Sequence, residues 1–246
     1  MIGRRLIGAL SAGVVLGTIP GIACSQGISI NLGDGQSLST QAFTIFAAMT
    51  ILSISPSLAI MVTCFPLIVS VLSMFRQGIG LQASPPNFLI IGLSLFLTWF
   101  VMEPTFMKSW NEGVEPFLSG GISNDEAFVN ITSPFRDFMS ARINEGTFDS
   151  LVSISTVDIE INDIHSAPLR IMVPAFMLSE MSRSFEIAFY ILLPFLIVDL
   201  IVSAILMSMG MMMVPPAIVA LPFKLAFLVV SDGFTKVAKA LIEGYM

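Results

Sequence analysis

Four apolar runs, at residues 43–75, 88–102, 187–213 and 217–242, constrain this chain more than any other feature it has. A hydrocarbon core of about 30 Å is crossed by roughly 20 apolar residues rising 1.5 Å each. Inside lipid every backbone polar group needs an internal partner, which leaves helices or closed barrels as the spanning structures. Charged residues make up only 11% of the chain and hydrophobic ones 55%, with a mean hydropathy of +0.89. A soluble domain carries about 25% charged residues. The fold class that follows is an all-α integral membrane protein. The net charge of -6 argues against nucleic acid, whose phosphates need a basic face.

Residues 1–23 read as a signal peptide, with Arg4 and Arg5 ahead of an apolar stretch that ends at Pro20, Gly21 and Ala23. Cys24 follows, but "GIAC" has Gly21 where a lipoprotein signal needs leucine. Residues 24–42 form an N-terminal periplasmic segment. The first hydrophobic hairpin covers 43–102, with Pro56 and Pro66 making its first arm a kinked helix or two joined pieces and Pro85–Pro86 breaking the hairpin. Residues 103–184 are water-facing and acidic: over 103–163 there are eleven acids and three bases, Lys108, Arg136 and Arg142. Within them "SPFRDFMSARI" predicts a helix capped by Ser133, with Pro134 in its first turn. Phe135, Phe138, Met139 and Ile143 share its apolar face, which suits packing against the protein's own helices. Residues 185–246 form the second hairpin, broken at Pro215–Pro216. A cleaved signal puts the acidic segment outside and that break inside, with little help from loop charges, since Lys236 and Lys239 then lie outside.

Little in the chain suggests bond-making chemistry. One histidine, His165, and one cysteine besides Cys24 at the signal's edge, Cys64 within an apolar run, are too few for a zinc or iron site and no internal disulfide is expected, nor any metal, cofactor or catalytic residue. Asp163, His165 and Ser166 are neighbours in sequence only, which is no evidence of a triad. Asp199 and Lys224 are ionisable residues well inside the last hairpin, where an unpaired charge costs about 2.5–3.5 kcal/mol. They lie 16 and 8 residues from Pro215–Pro216, at different depths if both arms are straight. That predicts a pair between neighbouring subunits rather than within one hairpin. Glu180, Arg183 and Glu186, spaced i, i+3, i+6, predict a salt ladder. Asp232-Gly233-Phe234 predicts a local bend. "MSMGMMMVPP", residues 207–216, concentrates five methionines beside a glycine and two prolines. Methionine fills irregular gaps, so packing is the plain reading of that run.

The stretch "PAFMLSEMSRSFEIAFYILLPFLIVDLIVSAILMSMGMMMVPPAIVALPFKLAFLVVSDGF", residues 174–234, closely resembles the FliP family of flagellar export-gate proteins, whose injectisome relatives are called SctR. "VLSMFRQGIGLQASPPNFLIIGLSLFLTWFVMEP", residues 71–104, and "SPFRDFM" resemble the same family. The resemblance implies two long kinked helical hairpins with a helical water-facing insertion, assembling helically around a central pore. It implies a homo-oligomer of five copies with FliQ-like and FliR-like proteins and other export-apparatus membrane proteins. The place implied is the bacterial inner membrane, within the flagellar basal body and partly on the periplasmic side. The apolar runs then become protein-facing hairpins, some of them no simple spans. The role implied is a non-enzymatic gate passing unfolded flagellar proteins. By position Met207, Met209, Met211, Met212 and Met213 become a pore gasket, and Gly210, Pro215 and Pro216 the gate hinge. The runner-up reading is a proton- or ion-coupled transporter using Asp199. Two stretches depart from the family pattern: Pro66 and Leu67 stand in "CFPL" where a basic residue is common, and "SARINEGTFDS" is sparse in charge.

Overall fold

The computed structural model describes residues 38–81, 84–155, 163–211 and 213–245, and all regular structure among them is helical. The signal peptide, Cys24 and Met212 lie outside the described residues. The chain divides into two units, Met1–Thr50 and Ile51–Met246. In the first, the described part is the opening half of α1 (Leu38–Met61), with Phe43, Phe46 and Met49 exposed.

In the second unit, Pro56 is absorbed within α1 and the chain breaks at Val62–Cys64. Pro66 then sits in the first turn of α2 (Phe65–Ile79), where a missing N–H costs nothing. Leu67, Ile68, Val71, Leu72, Phe75 and Ile79 bury one face of α2, the centre of the main core. α2 ends at Gly80, whose φ of 93° closes the helix in the left-handed region.

α3 (Asn87–Ser109) runs through Glu103 and Pro104 and continues by a π-helical turn, Trp110–Val114, into α4 (Glu115–Leu118). The apolar run at 88–102 is therefore part of a 32-residue rod. Pro104 removes one backbone bond, while buried Met102 and Ser109 and the packed Phe106 hold the helix on either side of it. Gly113 lies where a Cβ would come 2.8 Å from the Ile131 backbone nitrogen, so the next long helix crosses the rod in close contact.

That helix, α5 (Asn124–Ser140), starts nine residues ahead of Ser133, the cap that the sequence predicts. Ser123 caps it instead. The Ser123 hydroxyl accepts from the Glu126 N–H at 3.3 Å, and the Glu126 carboxylate accepts from the Ser123 N–H at 3.0 Å, a capping box that outweighs the Ser133-Pro134 signal. Pro134 is interior to the helix. Met139 and Ile143 are buried and Phe135 and Phe138 pack against the core, as their shared face predicts.

α6 (Glu145–Ile154) is capped by the Asn144 side chain. α7 (Leu169–Ser208) is 40 residues long, about 60 Å, and incorporates both Pro174 and Pro194. α8 (Pro216–Val230) and α9 (Gly233–Glu243) meet at a 59° bend, with Asp232 in the left-handed region at φ 50°. Among the described residues, the apolar part of α1 from Phe43, the rod Asn87–Leu118 and α7 are long and apolar enough to cross a membrane. The bent pair α8–α9 is a fourth if it is one span. The protein is an all-α membrane protein.

Candidate functional site: the methionine turn and its charged supports

α7 stops at Ser208, and seven residues lead to α8. The stop is a Schellman motif: the Met211 N–H donates to the Leu206 carbonyl at 2.9 Å and the Gly210 N–H to the Met207 carbonyl at 3.0 Å. Gly210 has φ 76°, a conformation that an L side chain resists. Pro215 is the cap of α8, and Pro216 its first residue. Four of the methionines at this turn face outward. Met207, Met209 and Met211 are exposed, and Met213 retains 98% of its accessible surface. Flanking the turn, Val202, Leu206, Met209, Met211, Val219 and Phe223 line an apolar groove of about 390 Å³.

Below the turn lies a buried ion pair. Lys224 Nζ donates to Asp199 Oδ2 at 2.6 Å and to the Gly78 carbonyl at 3.2 Å. Lys224 is buried, and Asp199 Oδ1 is buried without a partner. This corrects the expected pairing of Asp199 and Lys224 between subunits: both residues belong to one hairpin. Counting from Pro215–Pro216 treats residues 209–215 as helix, whereas they form the turn. From the true helix ends, Asp199 is nine residues into α7 and Lys224 eight into α8, so the two meet at one level.

The predicted salt ladder is also replaced. Glu180 is fully buried, and its Oε1 accepts from Arg142 Nε at 2.8 Å. Its Oε2 accepts from the Tyr245 hydroxyl, while Arg142 Nη1 reaches the Gly244 carbonyl at 3.1 Å. The guanidinium lies 3.7 Å over the Tyr245 ring, and the Phe138 ring stacks with it, centroids 6.0 Å apart. Burial, and after it the Glu180 charge, push the Tyr245 hydroxyl well above the ordinary tyrosine range. Arg183 and Glu186 are exposed, and among the described residues neither forms an ion pair with Glu180. The reason is helical geometry. Those positions are turned about 60° and 120° from Glu180, which places them on the outer face. They line a polar groove with Asn144 and Glu145 instead.

His165 meets Ser140 Oγ through Nδ1 at 2.9 Å, while the Asp163 carboxylate accepts from the His165 backbone N–H and not from its ring. Asp163, His165 and Ser166 thus form no relay.

The family model described as the FliP family matches residues 48–241, which contain the turn and nearly all of its supports. The chain belongs to the FliP family. It is 42% identical over 243 residues to the flagellar biosynthetic protein FliP of Caulobacter vibrioides, covering 98% of this chain and 91% of that protein. It is 41% identical over 237 residues to the Aquifex aeolicus protein of the same name, covering 96% of each. With that of Bacillus subtilis the identity is 40% over 197 residues, 80% of this chain and 89% of the other.

Three residues of this FliP-family chain were invisible to local sequence reading: Arg142, Tyr245 and Gly78. Their partners lie 38, 65 and 146 positions away. Spacing along a helix carries no signal at such separations. The composition gave one clue, since buried Glu180 and Lys224 in so apolar a chain demand partners of opposite charge.

Proposed function

We propose that this FliP-family protein is a subunit of the flagellar type III protein export gate, forming with further copies a channel through which unfolded flagellar proteins leave the cell. The observation that carries this reading is the methionine turn: a rigidly capped loop, anchored by two helices, that presents thioether side chains outward. Unbranched and polarizable, such side chains can close against one another and still conform to a passing chain of any sequence. They offer no fixed polar group to trap it. Five copies, with FliQ-like and FliR-like partners in the inner membrane and basal body, complete the proposal, and no bond-making step falls to this chain.

The alternative, an ion- or proton-coupled transporter with Asp199 as carrier, is weakened because Asp199 is held by Lys224 rather than free. The test is Met211, Met212 and Met213 changed together to alanine, with assembly of the complex verified first. The expected outcome is ion leak across the cell membrane while secretion of export substrates continues. An assembled variant that neither leaks nor loses export would remove the gasket reading.

A further inference from the structure

Three helices converge on one ammonium group about 12 Å below the methionine turn. Asp199 brings α7, Lys224 brings α8, and the Gly78 carbonyl brings the last turn of α2, an element of the other hairpin. The convergence is tight. A Cβ on Gly78 would lie 1.9 Å from Leu192 Cδ2 of α7, and one on Gly80 would lie 3.5 Å from Leu221 Cδ1 of α8. The end of α2 is therefore wedged against both arms of the gate hairpin, with Lys224 joining all three. Arg76, one turn earlier, donates to the Pro85 carbonyl and the Asn87 side chain, so the same end of α2 is also tied to the start of α3.

We infer that Lys224 is the positioning residue of the gate: it fixes the two arms level with each other and ties them to the first hairpin, and so sets the height at which the methionine turn closes. This rests on the gate reading above. The chemistry suits the task. An ammonium has three donors on a compact head, so it can satisfy a carboxylate and a helix-end carbonyl at once. The carbonyls of a helix's last turn have no partner within the helix and favour a cation. The ion pair alone would hold only α7 to α8. The Gly78 contact is what extends the brace to the other hairpin.

The test separates the two contacts. In Lys224→Arg both survive, and a resting conductance and secretion like those of the unaltered protein are expected. Exchanging the residues, Asp199→Lys with Lys224→Asp, keeps the ion pair but turns a carboxylate toward the Gly78 carbonyl, with no donor for it. That chain is expected to assemble and to leak, with an open fraction raised about tenfold, as for one lost charge-assisted hydrogen bond. An exchanged chain that assembles and stays sealed overturns the inference. So does one that fails to assemble while the arginine variant works, since the pair is then a folding element and not a positioner. The triple methionine variant, run alongside, reports separately on the gate: if it does not leak, the gasket reading fails whatever the brace does.

Discussion

Glu180 is held where no water reaches it, and Arg142, Tyr245 and the Gly244 carbonyl share the work of holding it. Removing one member of a buried charge pair strands the other, which costs about 3–5 kcal/mol. Losing one hydroxyl that donates to a buried carboxylate costs about 1–3 kcal/mol. Arg142→Leu is thus expected to lower the thermal unfolding temperature of the detergent-solubilised chain much more than Tyr245→Phe. The Phe138 and Arg142 stacking on the ring survives the second change, and circular dichroism melts of the two variants check the order. Glu180 is legible in the sequence as a charge that needs a partner, but its partners are not, because a ladder reading counts neighbours along one helix. Glu180 points to the inside of α7, and its partners come from the ends of other elements. Asp199 and Lys224 are legible as a pair but not in depth, since a count from Pro215–Pro216 takes a loop of seven residues for helix.

Elements were read best where proline and apolar pattern agree. The break before Pro66 and the start at Pro216 follow from residues that punctuate helices in known ways. The beginning of α5 was misplaced because Ser133-Pro134 and Ser123–Glu126 both look like starts, and only the second closes a reciprocal pair of hydrogen bonds. That box is sensitive to acid. The Ser123 backbone N–H, and then its hydroxyl, hold the Glu126 carboxyl below the ordinary glutamate value of 4.5. A carboxyl lowered in the folded state stabilises it above the ordinary value and ceases to do so as pH falls through the lowered one. Amide protection in the first turn of α5, corrected for the intrinsic pH dependence of exchange, is therefore expected to fall below about pH 4. Glu126→Gln is expected to remove that pH dependence, and a pH profile identical in both forms would show that the box plays no part.

At the scale of the whole molecule, length is the governing quantity. α7 is about 60 Å long against a hydrocarbon layer of about 30 Å, and the rod Asn87–Leu118 is about 48 Å. At least half of α7 therefore stands outside the lipid, and the half carrying the buried Glu180 network and the exposed Arg183 and Glu186 is the polar one. In a Cys24→Ser background, Glu186→Cys is expected to react with a membrane-impermeant maleimide and Leu200→Cys to be protected. Cys64, fully buried, contributes no signal. Equal labelling at both positions would contradict this partition of the helix.

The level meeting of Asp199 and Lys224 has an electrical consequence. A charge moved across the full membrane is worked on by about 2.3 kcal/mol per 100 mV. Opposite charges offset by a single residue along parallel axes, roughly 1.5 Å, feel about 0.1 kcal/mol of that. With α7 and α8 running along the field, such a pair lies nearly crosswise to it, and a change of membrane voltage does little work on this joint.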